Sequence, residues 1–191
     1  LRELTDARGL GVIVAGGAEY IVIADAGNSR IAVWDSNTAY CTHWQLAGAC
    51  PAAIAPDPRR ADAFFALDRR DAGKSALYLF TFASNMLSVA SGYPMPLPVG
   101  DDPSGAESGL AVAAQADGTL LLAVTDAAKG RIVEYALRGT ALNEVAVLTK
   151  AVGTYAGDPQ LIKPTDVAYA VQKGKLQLYA VDGLDRLVRV R

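Results

Sequence analysis

Residues 20–35 read "YIVIADAGNSRIAVWD", and this stretch decides the fold class. An apolar run ends at Asp25, a short turn with Gly27 and Asn28 follows, and a second run rich in β-branched and aromatic residues begins at Arg30. Two such runs joined by a short turn are typical of a β-hairpin. The stretch therefore predicts two antiparallel strands, and it raises the question of whether Asp25 is a reactive group or a part of the turn.

The same pattern occurs three more times along the chain. The later copies read "AFFALDRRDAGKSALYLF" (63–80), "LLAVTDAAKGRIVEYA" (121–136) and "QLYAVDGLDRLVRVR" (177–191). In each copy the first apolar run ends in Asp, and in all but the second an Arg follows four or five residues later. A residue that recurs once in every repeat is typical of a structural element rather than of an active site.

We therefore assign the repeated polar residues to strand ends and turns. The Asp carboxylates are expected to accept backbone N–H bonds within each turn. Each Arg is expected to pair with its Asp at an exposed position, where an ion pair contributes only about 0–1 kcal/mol. The predicted structural set is Asp25, Asn28, Arg30, Asp68, Asp126, Arg131, Asp182 and Arg186.

Further short apolar runs flank each hairpin, so each repeat predicts a four-stranded antiparallel sheet. The runs that end in Asp are apolar at nearly every position, which is typical of a strand covered on both faces. Sheets stacked radially cover their strands in this way, so the predicted fold is an all-β propeller. The predicted domain spans 1–191, with about four blades at 9–46, 50–91, 108–150 and 164–191, and with 1–4 as a possible closing strand.

Residues 9–35, "GLGVIVAGGAEYIVIADAGNSRIAVWD", resemble an NHL repeat. Residues 164–190 are similar to the same repeat, with Asp185 where Asn is expected, and residues 108–136 give a third match. The segment 50–82 keeps the spacing but not the turn. The resemblance covers nearly the whole chain and implies a β-propeller. NHL-like propellers are generally six-bladed, which implies two further blades outside this chain.

The two ends of the sequence also bear on whether the propeller is complete. The chain does not begin with Met and ends on the strand-like run 186–191. In this run Leu187, Arg189 and Arg191 alternate with Arg186, Val188 and Val190, which places two arginines on one face. We therefore expect an exposed or partner-facing edge, and either a segment of a larger propeller or a propeller that another chain completes.

The composition argues against several classes of function. The 191 residues carry a net charge of −2, which argues against binding to nucleic acid by charge alone. No run reaches the roughly 18 uninterrupted apolar residues of a membrane span. The single histidine, His43, cannot build a multi-histidine zinc centre. Cys41 and Cys50 are expected to be free thiols.

Two sets of residues are candidates for a binding site. Calcium-dependent propeller hydrolases collect acidic side chains at the ends of inner strands, where this chain offers Asp57, Glu107 and Asp166. A basic surface for RNA would have to use Arg59, Arg60, Arg69, Arg70 and Lys74, but interleaved aspartates cancel most of its charge. Arg189 and Arg191 are further candidates for contact with a partner. The segment 91–109 is expected to be a connector.

The predicted function is therefore a non-catalytic propeller scaffold for protein binding or assembly. Its expected partners are other proteins or the remaining blades of the same propeller. Two alternatives stay open: a calcium-dependent hydrolase or lyase of the propeller type, and an RNA-binding NHL propeller.

Overall fold

The computed structural model describes residues 3–46, 48–69, 75–97, 108–152, 160–183 and 186–191. These residues form small antiparallel β-sheets and two single turns of 3-10 helix. The predicted all-β propeller class is confirmed. The chain divides into two compact units, Leu1–Pro98 and Val99–Arg191, and each unit contains two blades.

The first unit contains blades 1 and 2, in which consecutive strands pair in chain order. The short turns between apolar runs make this meander the simplest pairing. Blade 1 consists of β1 (Ala7–Ala15), β2 (Ala18–Asp25), β3 (Arg30–Asp35) and β4 (Tyr40–Gln45). Blade 2 consists of β5 (Pro51–Pro56), β6 (Ala63–Arg69), β7 (Ser75–Ala83) and β8 (Met86–Val89).

Blade 2 also has a fifth strand that the sequence did not predict. β9 (Met95–Leu97) pairs with Ser75–Leu77 of β7, inside the segment that was expected to be a plain connector. The reason lies in strand length, because β8 pairs only with Phe80–Ala83 and leaves the first part of β7 without a partner on that edge. Met95 and Leu97 are buried while Pro96 is exposed, as suits a proline on an edge strand.

The second unit contains blades 3 and 4. Blade 3 consists of β10 (Leu110–Ala114), β11 (Leu120–Asp126), β12 (Arg131–Arg138) and β13 (Ala141–Leu148). Blade 4 has three strands among the described residues, β14 (Pro164–Gln172), β15 (Lys175–Asp182) and β16 (Arg186–Arg189). Of the possible closing strand at 1–4, residues 1 and 2 lie outside the described residues, and Glu3 and Leu4 are not in a strand.

Within each unit, the two blades pack face to face. Ile13, Val22 and Ile31 of blade 1 share one apolar cluster with Phe64 and Phe80 of blade 2. Ala111 and Ile132 of blade 3 share another with Val167, Leu178 and Val190 of blade 4. Burial of these side chains is the main stabilising contribution in each unit.

The first strand of each blade is its inner strand. Glycines near the start of β1 and just before β10, the inner strands of blades 1 and 3, let neighbouring blades approach closely. A Cβ atom at Gly9 would lie 2.7 Å from Cα of Ala53, and one at Gly109 would lie 2.6 Å from Cα of Asp166. No other residue fits at these positions without moving the neighbouring backbone. The glycine that begins each of these runs is therefore a packing requirement between blades.

In the part of the chain that the structure describes, no helix is long and apolar enough to cross a membrane.

Candidate functional site

Asp25 lies at the centre of a buried polar cluster at the end of β2. Its Oδ2 atom accepts hydrogen bonds from Arg30 Nε at 2.6 Å and from Asn28 Nδ2 at 2.8 Å, while Oδ1 accepts one from the Thr5 backbone N–H at 2.8 Å. Arg30 and Asn28 also donate to the carbonyl oxygen of Glu3. Both oxygens of the Asp25 carboxylate are thus occupied by hydrogen bonds.

The backbone donors to the aspartates differ from those expected. Asp25 accepts a hydrogen bond from the backbone N–H of Thr5. Asp68 accepts one from the N–H of Cys50. Asp182 accepts hydrogen bonds from the N–H groups of Ile162 and Lys163. These donors precede the inner strand, which is the first strand of each of these blades. At Asp25, whose turn is described throughout, the carboxylate is bound by Thr5, Asn28 and Arg30, so the expected backbone donor from the turn is wrong for this residue. The antiparallel pairing of inner and second strands brings the incoming segment beside the strand end. In blades 1, 2 and 4 the aspartate therefore ties the blade to the segment that enters it.

The Asp–Arg pairs are also less exposed than the sequence suggested. The side chains of Arg30 and Asp25 are 2% and 0% exposed, and Asp126 and Asp182 are likewise fully buried. Arg131 and Arg186 reach their aspartates at 2.8 Å and 2.5 Å while keeping part of the guanidinium in solvent. The expectation of exposed pairs is wrong, because the carboxylate of each pair is buried at a strand end.

Sequence reasoning missed a second buried polar cluster, which joins blades 3 and 4. The Glu134 carboxylate is fully buried, accepts a hydrogen bond from the Tyr169 hydroxyl at 2.7 Å, and lies 3.2 Å from the Arg191 guanidinium. Burial and the hydrogen bond to Glu134 raise the pKa of Tyr169 above its ordinary value. A single Glu inside the otherwise apolar run "RIVEYAL" (131–137) was the available signal.

The three predicted metal ligands do not form one group in the described residues. Asp57 is buried and bound by Arg59 at 2.8 Å, and this hydrogen bond raises the pKa of the Arg59 guanidinium. Asp166 is exposed and accepts the backbone N–H of Val167, while Glu107 lies outside the described residues. Among the residues that the structure describes, no group of three His, Cys, Asp or Glu side chains is placed to hold a metal ion.

The predicted basic surface is reduced by internal pairing and by burial. Arg59 pairs with Asp57, and Arg60 forms a two-point pair with Asp62 at 3.0 and 3.2 Å. Arg69 is buried at the end of β6 and is not available to a surface ligand. Arg70 and Lys74 lie outside the described residues.

The two arginines at the end of the chain have different environments. Arg191 turns toward Glu134 and helps to hold blade 4 against blade 3, rather than sharing an exposed face with Leu187. Arg189 is exposed and lines a shallow cavity of about 440 Å³ with Lys173, Lys175 and Gln177. This cavity lies on the face of blade 4 that is turned away from blade 3.

The two cysteines are free thiols in the structure. Burial raises the pKa of both Cys41 and Cys50. Nδ1 of His43, two residues from Cys41, hydrogen-bonds to the hydroxyl of Tyr40. Neither thiol is therefore activated as a nucleophile.

Blade 1 has an uncovered apolar face, which is the feature of this chain that most resembles a binding surface. Leu10, Val12 and Val14 of β1 are 65%, 49% and 40% exposed, and Ile21 and Ile23 of β2 lie beside them and are half-buried. By contrast, every residue of β6 and β11 is buried. The continuous apolar pattern predicted that neighbouring blades cover both faces of these strands. In blade 1, the described residues cover only one face.

No protein-family model and no curated protein matches this sequence. Solved propeller structures do match it. They include a 6-phosphogluconolactonase-like protein from Bacteroides uniformis (15% identity, TM-score 0.57, 97% of this chain and 53% of the other). The Aleuria aurantia lectin matches at 10% identity, TM-score 0.55, over 96% and 57% of the two chains. Virginiamycin B lyase from Staphylococcus aureus matches at 12% identity, TM-score 0.50, over 96% and 55%.

The chain is a β-propeller protein. At these identities the likeness shows the fold alone, since proteins with this fold carry out unrelated functions. The chain spans about half the length of the first of these solved structures. The resemblance to the NHL repeat stays a prediction, because no family model matches.

Proposed function

We propose that this chain is a non-catalytic propeller module that binds protein, and that the uncovered face of blade 1 is its binding surface. One observation carries the proposal: Leu10, Val12 and Val14 form an exposed row on one side of an inner strand. Contiguous exposed apolar residues of this kind mark interaction sites in proteins. A row of aliphatic side chains on a sheet offers no acid, base or nucleophile, so its chemistry is that of a packing surface.

The buried polar clusters support the non-catalytic part of the proposal. Asp25 and Arg30 are buried and satisfy each other, and Glu134 is held between Tyr169 and Arg191. Charged groups that are buried and paired in this way hold strands and blades in place. The Asp–Arg pair recurs at strand ends in blades 1, 3 and 4, and this repetition fits a structural role.

A photo-crosslinking experiment tests the proposal. A photoreactive phenylalanine analogue at position 12 reports what lies on the uncovered face, and the same analogue at Val145, which is exposed on the outer strand β13, is the matched control. We expect position 12 to crosslink to defined peptides that mass spectrometry identifies, and position 145 to give none of these peptides. Absence of defined protein crosslinks at position 12 would overturn the proposal.

The two alternatives have their own signatures. Calcium-dependent hydrolysis of a lactone or ester that is lost in Asp166→Asn would support the hydrolase alternative. RNA binding that weakens steeply with added salt and is lost in Arg60→Glu would support the RNA-binding alternative.

A further inference from the structure

The inner strands of the four blades follow one rule of side-chain size. One face of each inner strand carries mainly small residues, which we call the small face, and the opposite face carries larger aliphatic, aromatic or proline residues, which we call the large face. The first and second small-face positions are Gly9 and Gly11, Ala53 and Ala55, and Gly109 and Ala111 in blades 1–3. In blade 4 the equivalent positions are Asp166, the one exception in size, and Ala168, and Ala170 follows on the same face. The large faces are Leu10 and Val12, Ile54 and Pro56, Leu110 and Val112, and Val167 and Tyr169.

In both units a small face receives the large face of the next blade. A Cβ atom at Gly11 would meet the Cγ2 atom of Ile54 at 2.7 Å, so the Ile54 side chain fills the space above this glycine. In the second unit Ala111 of blade 3 and Val167 of blade 4 belong to the same apolar cluster. Blades in this protein therefore pack large residues onto small ones.

Two of these faces are exposed among the described residues. At the first large-face position, Ile54, Leu110 and Val167 are 7%, 5% and 6% exposed, whereas Leu10 is 65% exposed. At the second small-face position, Ala55 and Ala111 are buried, whereas Ala168 is exposed. Blade 1 thus presents an unused large face and blade 4 an unused small face.

We infer that the partner of the blade 1 large face is the blade 4 small face of a second copy of this chain. The inference rests on the proposed function, because it names the partner of the same binding surface. The two faces are the two halves of the contact that the chain already makes twice internally. The resulting association is head-to-tail, since different surfaces of the two copies meet.

Charge at the edges of the two faces is complementary. Glu19 pairs with Val14 in the sheet and is exposed at the hairpin end of the blade 1 large face. Lys173, Lys175 and Arg189 lie together on blade 4, and both lysines are at its hairpin end. Adjacent blades of the first unit stack with these hairpin ends together, because the Val14 N–H donates to the carbonyl of Ala61 in the β5–β6 loop. The same stacking between copies would bring Glu19 near the two lysines.

A mixing experiment with two variants tests the inference. Val12→Arg blocks the large face of blade 1, and Ala168→Arg blocks the small face of blade 4; both positions are exposed, so neither arginine has to enter a core. We expect the unmodified chain to self-associate with rising concentration in sedimentation velocity and each variant alone to stay at the mass of one chain. An equimolar mixture of the two variants should form a one-to-one complex, because one usable face remains on each partner.

Other outcomes overturn the inference in distinguishable ways. If Ala168→Arg still self-associates while Val12→Arg does not, the large face pairs with itself or with another surface, and the proposed function survives without the head-to-tail arrangement. If the unmodified chain stays monomeric at all concentrations, a second copy is not the partner, and the crosslinks from position 12 decide the proposed function independently.

Charge-reversal variants provide a second test that leaves the apolar faces intact. Glu19→Lys should weaken self-association by a few-fold, and combining it with Lys175→Glu should restore it. Val145→Arg, on an outer strand, is the control and should leave self-association unchanged. Equal effects of Glu19→Lys alone and of the double variant would contradict the predicted contact between these charges.

Discussion

The guanidinium Nε of Arg30 lies 2.6 Å from Oδ2 of Asp25, and both side chains are buried beneath the segment that enters blade 1. Asp25→Ala should destabilise the protein by about 3–5 kcal/mol, because it removes the carboxylate that balances the buried charge of Arg30. Urea unfolding followed by circular dichroism measures the loss.

Asp117 provides a matched control for this prediction. It pairs with Arg138 at a turn of blade 3, where both side chains are largely exposed. Asp117→Ala should cost far less than Asp25→Ala, since solvent screens exposed ion pairs. Equal losses for the two variants would contradict the view that burial makes the Asp25 pair important.

Two tyrosine hydroxyls in the second unit should respond oppositely to removal. The Tyr135 hydroxyl is buried and has no hydrogen-bond partner among the described residues, whereas the Tyr169 hydroxyl donates to the buried Glu134 carboxylate. Tyr135→Phe should leave stability unchanged or raise it by about 1 kcal/mol, and Tyr169→Phe should lower it by about 1.5–3 kcal/mol. The urea midpoints of the two variants, measured at pH 7 and compared with that of the unmodified chain, test this expectation. A larger loss in Tyr135→Phe than in Tyr169→Phe would refute the assigned hydrogen bonds.

Alkaline pH should destabilise the folded protein through these same tyrosines. Burial raises the pKa of Tyr135 and of Tyr169 above 10.0, the ordinary value for tyrosine. The folded state therefore keeps its phenol protons where the unfolded state loses them, so this contribution is fully present below about pH 10 and is lost as the pH rises further. Between pH 8 and 11, the urea midpoint of Tyr169→Phe should fall less steeply with pH than that of the unmodified chain. Equal slopes would contradict a raised pKa for Tyr169 in the folded state.

Glycines on the small face of blade 1 should tolerate an added methyl group to different degrees. Gly9→Ala should destabilise the protein by about 1–3 kcal/mol, because the new Cβ meets the backbone of Ala53 and Ile54. Gly11→Ala should cost less, because its Cβ meets the end of the Ile54 side chain, which can move. Thermal unfolding of both variants provides the comparison. A Gly11→Ala loss that exceeds that of Gly9→Ala would be inconsistent with this packing.

Much of the fold could be predicted from the sequence because its signals are local. Apolar runs that end at Asp25, Asp68, Asp126 and Asp182 mark the second strands, and the turns after them mark the hairpins. The exception is β9, whose pairing depends on how much of β7 another strand leaves open.

The candidate site was less predictable because it depends on which blade faces are covered. Leu10, Ile54 and Val167 occupy equivalent places in similar apolar runs, yet Leu10 alone of the three is exposed. No feature of residues 9–15 distinguishes that outcome, since cover comes from a neighbouring blade and not from the strand itself.

The sequence by itself determined four β-repeats, their hairpins and the position of an aspartate at each second-strand end, because strand alternation and turn chemistry act between neighbours in the chain. Only the tertiary structure decided that Asp25 accepts the N–H of Thr5, that Glu134 is held by Tyr169 and Arg191, and that Leu10 lacks cover. These contacts join residues far apart in the chain. They exist because stacked blades bring separate strands together and withdraw some of their polar groups from water.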